Sequence, residues 1–301
     1  MAKKHLIRFD WAMKRLLRNK ANFGILEGFL SELLREDITI EQILESESNQ
    51  DELSLKFNRV DILALNSKKQ LIIIEVQNES ERDFFHRMLF ATSKATVEHF
   101  NISQPYEAIK KVYSVNIVYF DLGQGEDYIY HGKTEFRGLH TGDVLGLSNG
   151  QKKTFALENV FHIYPEYYII KVNNFNDLAK DSLDEWIYYL KNNEVREGSR
   201  AKGLALVKQR LEFDGLSPAD RAAYVKAIEN IVIERDVTRT AREESREEGR
   251  KEGREEGREE TRRQNIIKAL IRGKLTIEEI AEDFDTSIDF VISLQQNLTN
   301  E

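Results

Sequence analysis

The chain runs to 301 residues, enough for one large domain with an appendage or two smaller ones at roughly 150 residues per domain. Its composition is that of a folded protein, 41% hydrophobic and 32% charged, and three prolines exclude a proline-rich or collagen-like chain. With 44 Lys plus Arg against 52 Asp plus Glu, a net charge of −8 excludes nucleic-acid binding by bulk basicity, and the absence of cysteine removes disulfides, thiolate nucleophiles and Cys-ligated metals.

Residues 1–5 are basic, but residues 6–10 do not build the apolar core of about 7–15 residues that a secretory signal needs. Apolar runs such as residues 71–74 fall far short of the ~20 residues of a membrane helix, so a cytoplasmic location with no membrane partner is expected. Over residues 11–34 apolar positions recur at helical spacing, broken near Asn22-Phe23-Gly24, which predicts two helices with Asn22 capping the second. Residues 38–44 read as a short strand or helix end before a polar loop. Residues 55–65 and 71–77 are rich in strand formers around a polar turn and predict a hairpin.

Residues 80–100 suit a helix with one face on a sheet, and 112–120 another strand. The glycine- and aromatic-rich block 123–150 reads as hairpins or irregular loops, and 164–172 as a further strand. Helices are expected over 181–191, 201–209 and 218–235. From Arg242 a four-residue Arg-Glu-Glu-Gly repeat has no apolar face, and its glycines each cost roughly 1 kcal/mol in a helix, so it reads as a solvated, frayed helical linker. Beyond it, residues 265–271, 275–283 and 287–298 predict a small helical module, with Thr276 and Glu279 as a capping box. Its last helix has no Lys or Arg among many nearby acids, which favours protein interaction or dimerisation over DNA reading.

The chemistry gathers on the hairpin. Pleating puts Phe57, Arg59, Asp61 and Leu63 on one face, and Leu71, Ile73, Glu75 and Gln77 on one face of the next strand. A turn centred on Lys68 sets Asp61 opposite Glu75, with Cβ atoms ~5 Å apart. Two carboxylates opposed in apolar strands are destabilising unless something neutralises them. Mg²⁺ does so directly, since it takes oxygen ligands from one or two carboxylates and leaves positions for water and phosphate. Gln77 is placed to orient an attacking water, and Lys56, Arg59, Arg82 and Arg87 to hold phosphate oxygens. The competing explanation is an edge strand whose acids face water or pair with Arg59, and for Arg87 a plain salt bridge. Six scattered histidines show no metal-binding spacing, and Asp121-Leu122-Gly123-Gln124-Gly125 lacks the rest of a phosphate-binding loop, so no nucleotide cofactor is expected.

Asp61, fourteen positions before Glu75-Val76-Gln77, resembles the signature of the PD-(D/E)XK nuclease superfamily. The wider context, Phe57-Asn58-Arg59-Val60-Asp61-Ile62-Leu63 with Ile74-Glu75-Val76-Gln77, Arg87-Met88-Leu89 and the Arg-Glu-Glu-Gly repeats, is similar to the Rpn-like recombination-promoting nucleases and transposases of bacteria. The likeness is carried by residues 9–125 and thins out toward residue 240. It implies an α/β restriction-endonuclease-like core, a central mixed sheet flanked by helices, with a C-terminal helical extension. The expected domains are 1–180 nuclease-like, 181–240 a helical extension, 241–263 the charged repeat and 264–301 the helical module.

The resemblance further implies Asp61 and Glu75 as ligands of Mg²⁺ or Mn²⁺, the Val76 carbonyl as a third oxygen, and an added acid from Glu27, Glu32 or Glu47. At Gln77 the sequence departs from the usual lysine, although the Rpn-like group commonly has glutamine there. The expected activity is metal-dependent DNA cleavage serving recombination or transposition, with DNA as partner and a homodimer as the arrangement that would cut both strands. The rival is a catalytically inactive nuclease-fold scaffold working through protein–protein interaction.

Overall fold

The computed structural model describes residues 6–44 and 61–299, with the side chains of 234, 235 and 299 excepted. Two helices, α1 (Phe9–Arg15) and α2 (Phe23–Leu34), precede β1 (Ile40–Leu44), β2 (Ile62–Asn66), β3 (Leu71–Gln77), α3 (Phe84–Glu98), β4 (Val112–Val118), β5 (Ile129–Gly132), α4 (Asn149–Phe155) and β6 (Glu166–Lys171). Helices α5 (Ser182–Asn192), α6 (Leu204–Arg210), α7 (Pro218–Arg272), α8 (Ile277–Asp283) and α9 (Ile288–Thr299) follow. The chain divides into two compact units, Met1–Val225 and Lys226–Glu301, the boundary falling within α7.

The six strands form one mixed sheet in the order β1-β2-β3-β4-β6-β5, in which β3, β4 and β6 run parallel and the other neighbours antiparallel. This is the α/β core with a central mixed sheet and flanking helices that the sequence led us to expect. The β2–β3 hairpin follows the expected register, Ile62 facing Ile74 and Leu63 facing Ile73. Its turn is held by Asn66, whose side-chain oxygen accepts from the N–H groups of Lys68 (3.1 Å) and Gln70 (2.9 Å), while Lys69 adopts φ 62°. A three-residue loop closed by a left-handed residue matches the twist of the two strands.

Residues 71–76 of β3 are all buried, as a strand covered on both faces must be. Leu71 and Ile73 pack with Leu63, Val112, Ala91 and Ala95, so this face of β3 lies under α3. Elsewhere in the unit Phe9, Phe29 and Trp186 meet with ring centroids 5.4–6.0 Å apart, joining α1, α2 and α5. A side chain at Gly28 of α2 would strike the backbone before α6, its Cβ falling 2.5 Å from the Lys202 carbonyl and 2.6 Å from the Gly203 Cα, and Gly203 itself has φ 83°. Glycine is therefore required at both positions.

Several expectations are corrected. Asn22 stands at the N-cap of α2 but makes no capping bond, because its amide donates to the Leu16 carbonyl (2.9 Å). In the 123–150 block β5 is the one strand, beside an isolated Arg137–Val144 bridge. The Arg-Glu-Glu-Gly repeat is not frayed: it lies inside the 55-residue helix α7. Extending a helix that already exists costs no new nucleus, and charge pairs four apart, such as Lys251 with Glu247, offset part of the glycine cost.

Past the repeat, Ile266, Ile280, Ala281, Val291 and Leu294 form the core of the second unit. The Thr276–Glu279 capping box is present, with reciprocal bonds of 3.2 and 2.8 Å. No helix among the described residues is long and apolar enough to cross a membrane.

Candidate functional site

The hairpin register carries Asp61, one residue before β2, to the side of Glu75 at the carboxyl end of β3. Asp61 Oδ2 accepts the N–H of Val76 at 2.8 Å, which pins its carboxylate to the strand edge. Backbone N–H and C=O of one strand residue point to the same side, so the Val76 carbonyl leaves the strand toward Asp61. The Gln77 carbonyl turns the other way and accepts from Tyr119 of the segment after β4 at 2.9 Å. The Gln77 side chain is half-buried and shares a face with Glu75.

Glu75 sits under α3 because it continues the Leu71, Ile73 face. On the helix, Arg87 stands four residues before Ala91 and eight before Ala95, so the row that packs its alanines on Leu71 and Ile73 brings a guanidinium to Glu75. Arg87 Nη2 donates to Glu75 Oε1, and Nη1 donates to Glu81 Oε2 at 2.9 Å.

Glu75 is 4% exposed. Burial pushes its carboxyl up to about 7; Arg87 acts against this, while the negative charges of Asp61 and Glu81 add to it. The Glu75 carboxyl thus stays raised even with its arginine in place.

On the amino side, two cations reach Asp61, Lys14 from α1 and Arg18 from the turn that follows it. Lys14 Nζ lies 3.6 Å from Asp61 Oδ1, and Arg18 Nη2 donates to the Asp61 main-chain carbonyl at 2.6 Å. Near the end of β3, Asp10 of α1 is buried and saturated. It accepts from Arg8 through Nε and Nη2 (3.0 Å each), from the Trp11 N–H (2.8 Å) and from the Asn78 amide (3.0 Å). Arg8 closes the ring by donating to Asn78 Oδ1 at 2.7 Å. Burial pushes the Asp10 carboxyl up, but Arg8, Asn78 and the Trp11 N–H outweigh it and hold the group below its ordinary value.

Of the residues singled out in the sequence, Asp61, Glu75, Val76, Gln77 and Arg87 come together here. Lys56, Arg59 and Glu47 lie outside the described residues. Glu27 and Glu32 are engaged elsewhere: Glu27 accepts the Ile40 N–H (2.8 Å), and Glu32 accepts the Ser182 hydroxyl (2.5 Å) and the Lys202 N–H (2.9 Å). Each joins α2 to a neighbouring segment, which accounts for a carboxylate on an otherwise apolar helix.

Among the described residues no cluster of three acids or histidines stands ready for a metal. The groups that could hold a metal are the Asp61 and Glu75 carboxylates and the Val76 carbonyl, all hard oxygens. That set suits a divalent cation which completes its shell with water and substrate. Sequence reasoning missed Arg8, Asp10, Asn78, Lys14 and Arg18. The available signal was an acid between Phe9 and Trp11, and a row of polar residues four apart at 10, 14 and 18.

Sheet order, crossover helix and paired acids at one strand end define a restriction-endonuclease-like core. A family model described as PD-(D/E)XK nuclease family transposase matches residues 7–216, and the chain belongs to that family. No curated protein and no solved structure matches it.

Proposed function

We propose that the chain is a metal-dependent DNA endonuclease that hydrolyses phosphodiester bonds in the service of DNA recombination or transposition, working in the cytoplasm. The observation that carries this reading is the buried Glu75 set beside Asp61 at the end of β3, its carboxyl raised by burial despite Arg87. Asp61, Glu75 and the Val76 carbonyl would hold Mg²⁺ or Mn²⁺. Such an ion lowers the pKa of a water and offsets negative charge developing on phosphorus. Gln77 orients the attacking water through its amide, and Arg87, anchored between Glu75 and Glu81, lends positive charge to the phosphate side.

The observation favouring the inactive scaffold is the same Arg87 pair, since it supplies an internal partner for Glu75 without a metal. Plasmid nicking with Mg²⁺, Mn²⁺ or EDTA separates the two readings. Metal-dependent nicking that disappears in Asp61→Ala and Glu75→Ala is the expected result. Folded wild-type protein that neither nicks nor binds either ion would leave the scaffold.

A further inference from the structure

We propose that Lys14 is a catalytic residue of this site, its ammonium binding a non-bridging oxygen of the scissile phosphate beside Asp61. The inference rests on the nuclease reading above and extends it to an element outside the strand motif.

Asp10 and Lys14 stand four apart on one face of α1, Arg18 follows in the turn beyond it, and each meets the working end of the hairpin. Asp10 bonds Asn78, the residue after Gln77; Lys14 pairs with Asp61; Arg18 holds the Asp61 backbone. Helix α1 is a firm support, with Phe9, Asp10, Trp11, Ala12 and Met13 buried. Lys14 is therefore delivered to the carboxylates by a packed helix rather than by a wandering chain end.

Among the described residues, three cations around the pair have different commitments. Arg87 divides its guanidinium between Glu75 and Glu81, and Arg18 spends its Nη2 contact on a main-chain carbonyl. Lys14 is 56% exposed and stands 3.6 Å from Asp61 Oδ1, beyond the ordinary 2.7–3.2 Å hydrogen-bond length. It is near enough to be held by charge and loose enough to take a second anion. Gln77, on the strand itself, carries no charge to do this.

In the hydrolysis the water oxygen bonds phosphorus as one P–O ester bond breaks. One water proton goes to solvent, and the departing alkoxide takes a proton from solvent. Lys14 keeps its own proton and acts by charge on the phosphate oxygen, where charge grows as the fifth bond forms.

The test uses the full chain with Mn²⁺ and plasmid DNA, comparing wild type, Lys14→Gln, Lys14→Arg and Asp61→Ala. Mn²⁺ binding is read by calorimetry and folding by thermal melting. We expect Lys14→Gln to melt like wild type and bind Mn²⁺ as tightly or more so, yet to lose kcat by about 10²-fold with KM for DNA changed far less. Lys14→Arg should recover at least a tenth of the rate. Undiminished cutting by Lys14→Gln overturns the proposal. So does loss of Mn²⁺ binding in that variant, which would make Lys14 a mere support for Asp61. Wild-type protein that does not cut, or cuts equally well as Asp61→Ala, overturns the nuclease reading and this proposal with it; a failure confined to Lys14 leaves the reading standing.

Discussion

Two buried carboxylates lie near the end of β3, and the fold treats them oppositely. Asp10 receives four hydrogen bonds, from a guanidinium, an amide and a main-chain N–H, and its carboxyl is held low. Glu75 has an arginine that it shares with Glu81, lies beside Asp61, and is pushed up to about 7. Burial is nearly equal, at 4% exposure each, so burial does not separate them. What does is the number of donors against the number of neighbouring negative charges. A saturated acid stabilises the fold, whereas a buried acid with a raised pKa is a candidate for a functional role.

The sharpest way to break this comparison is Asp10→Ala. It strands Arg8 without its carboxylate, and removing one partner of a buried pair costs about 3–5 kcal/mol, readable by chemical denaturation. The acid limb gives the matching sign. The folded-state pKa of Asp10 lies below its ordinary 3.8, so this stabilisation is present above that value and lost as pH falls through the folded value. The variant should lack that part of the wild type's acid sensitivity.

Next in size is the response to metal. Mn²⁺ at a hundredfold excess over its dissociation constant should stabilise the wild type by about 2.7 kcal/mol. Glu75→Gln should abolish that gain while changing the metal-free stability by less than about 1 kcal/mol, because burial already penalises the Glu75 charge and Arg87 keeps its bond to Glu81. Metal stabilisation that survives the substitution would show that Glu75 is as self-sufficient as Asp10. The smallest effect expected is that of Asn78→Ala, about 1 kcal/mol for the lost bonds between β3's end and α1, seen as an earlier melting transition.

The contrast also explains what could be read from the residues alone. The pairing of Asp61 with Glu75 was legible because a hairpin register depends only on a local turn, which Asn66 and Lys69 close. The role of α1 was not, since Arg8 and Asn78 are 70 positions apart and only the packed fold joins them. On α2, Glu27 and Glu32 stand out in sequence against apolar neighbours, but each is as well explained by a main-chain donor within reach. The repeat misled for a different reason. Per-residue glycine costs argue for fraying in an isolated peptide, whereas here a helix begun at Pro218 continues through it.

The contact of Gly28 with Gly203 bears on motion. Where two backbones touch with no side chain between them, no rotamer can turn to let the pieces slide, and the joint opens only if whole segments separate. Amide protons in the middle of α2 are therefore expected to exchange with solvent only through large-scale unfolding. A backbone joint of this kind gives α1 a fixed floor, against which the exposed lysine keeps its side-chain freedom.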